Sequence, residues 1–434
     1  MREMTHFKLK YGKGYVEFDL PKERVLNVVE GAPYPALDDL NAALIEALDH
    51  PVGTPALKEI VKPGESVCVV VSDITRGWIH YERFLPYLLN YLNATGIPDK
   101  DIFLLIAYGA HRLQTEAESR LEFGDEVVDR VRIEHSSGIN PESKFRHLGT
   151  TSHGVPIEIN ELALDADRLI LTGGIIYHLM AGYGAGRKAI LPGISSYQAI
   201  QKNHCLCLQD EVGGGTNPEI VSGNIAHNIM HDDQMEHGEA ADADFLVNVI
   251  CNADGEHCKF VTGHWAKAWE QGTQLVDEIY GVEISEKADC VVATAGGYPK
   301  DINLYQGVKT QDNAVKACKP GGVVILMMEL DDISEPAEFI DWFATQNLYD
   351  REVKLRGGFT VPGFISLHLG EDFQKCKHIL VTKPENKEVC DRVGIEVVTS
   401  IEEALAKAEK IIGNDTFTYN VMPLASNTMP IVKK

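Results

Sequence analysis

Short apolar runs alternate with helical patterns through the first half of the chain. Nearly continuous apolar runs occur at residues 66–71, 102–107 and 169–172. Such runs are typical of strands buried in a parallel sheet, because helices cover both faces of that kind of sheet. Between the runs, residues 38–48 and 81–93 repeat apolar positions at helical spacing. The alternation predicts an α/β fold built on a largely parallel, doubly wound sheet.

The same alternation starts again in the second half, with apolar runs at residues 288–294 and 322–330. A chain of 434 residues exceeds the length at which one hydrophobic core usually stops growing. We therefore predict a larger N-terminal α/β domain over residues 1–272 and a smaller C-terminal α/β domain over residues 285–415. Residues 416–434 are expected to pack back on the first domain, and the cleft between the domains is the expected site.

Composition narrows the classes of partner. Acidic residues outnumber basic residues by 64 to 40, a formal net charge of −24, which disfavours a nucleic-acid or anionic membrane surface. No apolar stretch approaches the roughly 20 residues that a membrane-spanning helix needs, and no stretch resembles a secretion signal. The nine cysteines lack the spacing of a disulfide framework. We expect a cytoplasmic protein, and the sequence leaves a homo-oligomer open.

Polar side chains follow two of the predicted strands. Asp73 and Arg76 come after the run at residues 66–71, and His111 follows the run at residues 102–107. Open α/β sheets place ligand-binding groups at the carboxyl ends of their strands, so these side chains are site candidates. The alternatives are a mutual Asp–Arg pair and a structural histidine, which is the commoner fate of a lone histidine after a strand.

The residues that could bind a ligand or react are most concentrated around Lys188. Gly184 and Gly186 precede this lysine in a glycine-rich turn, His178 lies ten residues before it and His204 sixteen residues after it. Glycines let backbone N–H groups approach a ligand closely, and a lysine amine there suits phosphate pairing, Schiff-base formation or acylation. The alternative is an ordinary glycine turn with structural histidines, since short glycine patterns often occur without a ligand.

A second group of candidate ligand-binding residues lies after the apolar run at residues 288–294. Tyr305 and Lys309 share one helical face, and Gln306 and Lys309 are three residues apart. A cation beside an amide is a suitable receptor for a carboxylate.

Two weaker metal patterns also occur. Cys205 and Cys207 invite a zinc interpretation, but a single Cys-x-Cys pair does not close a tetrahedral site. His227 and His231 are four residues apart, and a metal site is conceivable there; a solvated acidic helix is the favoured interpretation.

Five motifs, taken together and in order, resemble the nickel-dependent lactate racemase family. The resemblance spans most of the chain and is more specific than any single glycine loop. The motifs are SDITR at residues 72–76, GAHR at 109–112, YHLMAGYGAGRKAILPG at 177–193, NH at 203–204 and LYQGVK at 304–309.

The resemblance implies a cofactor and a set of roles. The cofactor is a nickel-pincer nucleotide, pyridinium-3,5-bisthiocarboxylic acid mononucleotide nickel, attached covalently to Lys188, with Gly184 and Gly186 beside it and His204 completing the nickel coordination. It implies His111 and His178 as the two acid–base groups. It also implies Arg76, Gln306 and Lys309 as substrate-binding residues, and Asp73 and Tyr305 as residues that support the pocket or the cofactor.

The implied reaction inverts a 2-hydroxy acid by reversible hydride transfer through a 2-keto acid, with two bases suited to neutral pH. Partners would be the small-molecule substrate and the cofactor-synthesis enzymes that load Lys188. Candidates for the wall around the substrate side chain are Tyr177, Leu179, Met180, Tyr183 and Tyr298. The alternatives are an NAD-dependent 2-hydroxy-acid oxidoreductase, disfavoured because no G-x-G-x-x-G follows the first strand, and a non-catalytic nucleotide- or metal-binding protein.

Overall fold

The buried apolar run Val67–Ser72 is the centre of a six-stranded sheet, the first sheet, in the computed structural model, which describes residues 3–433. From one edge to the other, its strands are Arg132–Ser137, Ile102–Gly109, Val67–Ser72, Arg168–Gly174, Phe245–Cys251 and His257–Gly263. All neighbours are parallel except the last pair. In chain order the strands read 3-2-1-4-5-6, the doubly wound arrangement found in dinucleotide-binding folds.

Helices cover this sheet and bury a continuous apolar core. Several begin at side-chain caps; Thr115 and Glu118, for example, form a reciprocal capping box. The α-helices are Leu40–Asp49, Leu57–Ile60, Leu85–Ala94, Glu116–Phe123, Asp125–Arg130, Glu161–Asp165, Tyr197–Cys205, Ile229–Ala241 and Trp265–Tyr280. The 3-10 helices are Ile74–Ile79, Tyr81–Arg83, Asp99–Asp101 and Gly186–Ala189. Two antiparallel ladders pair Phe145–Thr150 with Pro156–Asn160 and Tyr177–His178 with Gly182–Tyr183.

A second six-stranded sheet is wholly parallel. Its strands in spatial order are Glu396–Val398, Lys377–Val381, Cys318–Met327, Ala288–Thr294, Tyr419–Met422 and Val25–Val28. Its α-helices are Leu304–Lys316, Ala337–Trp342, Leu348–Gly357, Val361–Lys375, Lys387–Val393 and Ile401–Ile412, and the 3-10 helices are Lys22–Arg24 and Pro384–Asn386. Two further ladders pair Met4–Tyr11 with Gly14–Pro21 and Gly281–Ile284 with Met429–Val432.

The chain forms two compact units, which confirms a two-domain α/β architecture, but their bounds differ from the predicted ones. One unit contains residues 33–207 and 218–279, and the other contains residues 3–32, 208–217 and 280–433. Residues 416–433, in the segment expected to pack back on the first domain, belong to the unit that contains the second sheet. Tyr419–Met422 lies in that sheet between Ala288–Thr294 and Val25–Val28, with all four of its side chains buried.

In the described part of the chain, no helix combines the length and the apolar character that crossing a bilayer requires.

Candidate functional site

The carboxyl ends of neighbouring parallel strands meet at one edge of the first sheet. Val67–Ser72 lies between Ile102–Gly109 and Arg168–Gly174. The strand order reverses between Val67–Ser72 and Arg168–Gly174, and such a switch point leaves a crevice for a ligand. Asp73 follows the central strand and His111 follows its neighbour. The carboxyl ends of these three strands therefore lie along one rim of the sheet.

Asp73 holds His111 in one tautomer. Its Oδ2 lies 2.6 Å from Nδ1 of His111, and its Oδ1 accepts from the backbone N–H and the hydroxyl of Thr75. Burial raises the pKa of the Asp73 carboxyl, but the hydrogen bonds from His111 and Thr75 outweigh burial, so the pKa is lowered. Because an ionised carboxylate only accepts, Nδ1 of His111 donates and Nε2 carries the lone pair. The His111 ring is half-exposed, so the site has a basic nitrogen open to a ligand.

His178 is held in the opposite tautomer. It lies in the hairpin of Tyr177–His178 and Gly182–Tyr183. Its Nδ1 lies 3.3 Å from the backbone nitrogen of Met180 and 3.1 Å from that of Ala181. Backbone N–H groups only donate, so Nδ1 accepts and the neutral ring carries its proton on Nε2. The two predicted acid–base histidines therefore offer a lone pair on one Nε2 and a proton on the other.

The amine of Lys188 lies in an environment that favours its neutral form. Burial lowers its pKa to about 7, and the positive charges of Arg187 and Arg76 act in the same direction. A lysine of this kind is a nucleophile near neutral pH. Acylation and Schiff-base formation therefore suit Lys188 better than permanent pairing with an anion.

Of the two glycines predicted beside the lysine, Gly186 is required by the backbone. Its φ is +55°, and a Cβ there would lie 2.5 Å from the indole of Trp269. A Cβ on Gly184 would meet the carbonyl oxygen of Gly174 at 3.4 Å, at the short end of an ordinary contact. Gly184 contributes instead through its carbonyl, which accepts from the Trp269 Nε1–H at 2.8 Å.

Arg187 is a fully buried cation that the sequence prediction passed over. Its Nη1 donates to the carbonyl of Tyr183 at 2.9 Å and its Nη2 to the carbonyl of Ala181 at 2.5 Å. Its Nε donates to Nδ1 of His231, and its guanidinium lies 3.9 Å from the Trp269 ring centroid. Arg187 thus ties the lysine turn to the histidine hairpin. Its position next to the lysine in a glycine-rich turn was the available sequence signal.

His204 presents a neutral imidazole suited to a metal. It lies on the helix Tyr197–Cys205, where its Nδ1 donates to the carbonyl of Ile200 at 2.8 Å, so the lone pair is on Nε2. Burial, with the charges of Lys188 and His111 acting in the same direction, lowers the pKa of His204 to about 4. Metal-bound histidine must be neutral, and His204 meets that condition.

Arg76 is half-buried at the start of the turn after the central strand. Its Nη1 donates to the carbonyl and the hydroxyl of Thr75, at 3.3 Å and 3.0 Å, rather than to Asp73. The alternative of a mutual Asp73–Arg76 pair is therefore wrong, since the buried carboxylate binds His111 instead. The guanidinium keeps the capacity to bind an anion.

The predicted carboxylate receptor lies in the other unit. The loop after Ala288–Thr294 leads into the helix Leu304–Lys316, whose first turn Asn303 caps by accepting from the Gln306 N–H. Gln306 and Lys309 are exposed on this helix. Tyr305 is half-buried, with its ring edge-on to Phe339 at 5.6 Å. That these residues share one site with His111 and Lys188 stays a prediction.

The structure also contains a buried cluster that the sequence did not indicate. Within residues 3–433, Asp312, His368 and Asp372 are the group of potential ligands close enough to share an ion, with ligand atoms within 4.8 Å of one another. Lys316 pairs with Asp312 at 2.8 Å and Lys375 pairs with Asp372 at 2.9 Å. Burial alone lowers the pKa of His368, but the two carboxylates raise it overall. The carboxylates are thus neutralised by side chains, and the cluster is an internal ion network.

The weaker metal pattern at His227 and His231 has a different explanation. His231 is buried, accepts from Arg187 and stacks on Trp269 at 5.5 Å, and burial lowers its pKa to about 3. His227 lies outside the helix Ile229–Ala241. Neither the metal site nor the solvated helix face therefore describes His231, which packs in the interior beneath the lysine turn.

The chain is similar to known proteins along most of its length. The family model "Lactate racemase N-terminal domain" matches residues 11–215 and "Lactate racemase C-terminal domain" matches residues 284–425. A lactate racemase from Thermoanaerobacterium thermosaccharolyticum is 31% identical over 427 residues, 97% of this chain and 98% of the relative. Another from Lactiplantibacillus plantarum is 29% identical over 378 residues, 84% of each chain.

The chain is also similar to solved structures. The lactate racemase apoprotein from T. thermosaccharolyticum superposes with a TM-score of 0.87 at 30% identity, covering 99% of this chain and 100% of that one. A Thermotoga maritima protein superposes with a TM-score of 0.62 at 17% identity, covering 92% of this chain and 100% of that one, which supports the fold alone.

Proposed function

This chain belongs to the lactate racemase family, and from that premise we propose that it racemises lactate or a related 2-hydroxy acid by hydride transfer. It is an isomerase of the racemase class. The observation that carries the mechanistic proposal is the pair of histidines held in opposite tautomers in the unit that also contains a lysine of lowered pKa.

The residues in the lysine turn fit a covalently attached nickel-pincer nucleotide. Lys188 has an amine whose neutral form is populated near pH 7, as acylation by a thiocarboxylate requires. His204 offers an Nε2 lone pair on a neutral ring, as a nickel ligand requires. When bound, the group would supply an electron-poor pyridinium ring able to take up the C2 hydrogen of the substrate as hydride. We expect cofactor-synthesis enzymes to load Lys188.

His111 is suited to take the hydroxyl proton. As the C2 hydrogen leaves, the O–H electron pair forms the second bond to oxygen and a 2-keto acid results, so a base must accept the proton. Nε2 of His111 has the lone pair for this task, and Asp73 at 2.6 Å stabilises the resulting imidazolium. The carboxylate thus acts through the histidine, and support of the pocket or the cofactor by Asp73 stays a prediction.

His178 provides the second acid–base group. For inversion, hydrogen must return to the opposite face of the 2-keto acid while a proton is delivered to its oxygen, and a second histidine meets that need. Its Nε2–H is the donor atom, and the proton held by the His111 imidazolium then returns to His178 through solvent, which restores both neutral rings. Arg76, Gln306 and Lys309 would bind the substrate carboxylate and hydroxyl, because cations and an amide stabilise those groups through charge-assisted hydrogen bonds.

The proposal is tested with enantiopure lactate and protein co-expressed with cofactor-making enzymes. We expect loss of optical activity without net oxidation, together with an increased intact mass that maps to Lys188. Accumulation of keto acid with NADH formation would contradict racemisation and favour the oxidoreductase alternative. His111→Ala and His178→Ala should each abolish turnover while the Lys188 adduct remains, and retained racemisation in both variants would show that the bases are misassigned.

A further inference from the structure

The hairpin that carries His178 is anchored from the helix Trp265–Tyr280 by a single carboxylate. Oδ1 of Asp277 accepts from the phenol of Tyr177 and from the phenol of Tyr183, both at 2.7 Å. The two tyrosines are directly opposite each other in the ladder, with ring centroids 5.4 Å apart. Both side chains are buried. Their phenols are therefore bound to Asp277, and their place in the wall around the substrate stays a prediction.

This anchoring determines the direction of the neighbouring histidine. Successive side chains of a strand point to opposite faces. Tyr177 and His178 are successive, so fixing the phenol of Tyr177 on one face fixes the imidazole on the other. Gly182, opposite His178 in the ladder, has φ +71°, and a Cβ there would lie 2.6 Å from the carbonyl oxygen of Asn224. The histidine side of the hairpin is thus closely packed.

The remaining anchors hold the hairpin backbone. Asn228 donates to the carbonyl of Met180 at 2.8 Å, and Arg187 donates to the carbonyls of Ala181 and Tyr183. These bonds fix the turn whose N–H groups set the histidine tautomer. Asp277, by contrast, binds side chains: it accepts from the two phenols, which lie on the face of the hairpin opposite the His178 imidazole.

We propose that Asp277 is a positioning residue for the reaction: through the phenols of Tyr177 and Tyr183 it sets the direction of the His178 ring, and so keeps Nδ1 against the backbone N–H groups that fix the tautomer. The inference rests on the proposed function of His178. Displacing an acid–base group by about 1 Å can cost on the order of a hundredfold in rate. Substrate binding depends on other groups, so the effect should fall on kcat rather than on KM.

The test uses Asp277→Leu, which removes both acceptor bonds, and Asp277→Asn, which keeps an acceptor oxygen. In cofactor-loaded protein, we expect Asp277→Leu to lower kcat at least about tenfold with KM within about threefold. Asp277→Asn should recover most of kcat. Asp49→Leu is the matched control, because Asp49 accepts the phenol of Tyr91 at 2.6 Å elsewhere in the same unit, and it should leave kcat unchanged.

A second readout separates this inference from the proposed function. Nitrogen-15 spectra of the apoprotein should show His178 protonated on Nε2 in the wild type and as a mixture of tautomers in Asp277→Leu. If the leucine variant folds poorly, Tyr177→Phe and Tyr183→Phe each remove one phenol and should shift the same signals. Wild-type kcat and unchanged His178 signals in Asp277→Leu would overturn the inference, whereas a wild type that does not racemise would overturn only the proposed function.

Discussion

The lowered pKa of the Lys188 amine leads to a direct prediction about its reactivity. Burial, with Arg187 and Arg76 adding to it, brings this pKa from 10.5 to about 7. At pH 7 about half of the Lys188 amines are then neutral, against about one in 3,000 for a lysine of ordinary pKa. Since only the neutral amine attacks an acyl carbon, acylation of Lys188 should reach half of its limiting rate near pH 7.

The assay is competitive labelling of the apoprotein with a small acylating reagent between pH 5 and 11. Peptide mass spectrometry then gives the labelling rate of Lys188 relative to the exposed lysines of the same chain. Arg76→Leu removes one of the two nearby cations and should move the Lys188 midpoint upward, because the charged amine is then less disfavoured. A wild-type midpoint near 10.5 would refute the reasoning, and so would a midpoint that Arg76→Leu leaves unmoved.

Three further predictions follow from individual contacts. Asp73→Asn replaces the ionised acceptor of the His111 bond and should lower kcat by about 10- to 100-fold in steady-state assays, the worth of a charge-assisted hydrogen bond; unchanged kcat would contradict it. His204→Ala should lose nickel, measured by elemental analysis, while the Lys188 adduct persists in the intact mass. Gly186→Ala should lower the free energy of unfolding by about 1–3 kcal/mol in urea titrations, because the residue has positive φ and its Cβ would collide with an indole.

The buried parallel strands were predictable because their residues are apolar on both faces. The run predicted at residues 288–294 coincides with Ala288–Thr294, and that predicted at residues 66–71 is one residue from Val67–Ser72. Tyr419–Met422 was missed because buried Asn420 interrupts its apolar pattern. That amide accepts from Asn27, almost 400 residues away, so its partner is invisible to local reasoning.

The candidate site was predictable in its residue types but not in its pairings. His111 and Asp73 were each placed at a strand end, as found, yet their hydrogen bond depends on the adjacency of two strands. Asp277 lies 100 residues from Tyr177 and gave no local signal. Tautomers likewise depend on backbone groups that only the folded hairpin brings to His178.

Racemisation of unlabelled L-lactate in D₂O by cofactor-loaded protein tests the central claim most directly. If the C2 hydrogen moves as hydride, it does not exchange with solvent, and proton NMR with chiral analysis should show D-lactate that retains hydrogen at C2. The histidines exchange only the hydroxyl proton. D-lactate carrying deuterium at C2 would show that a base removes the C2 hydrogen as a proton and would contradict the account, as would the absence of any inversion.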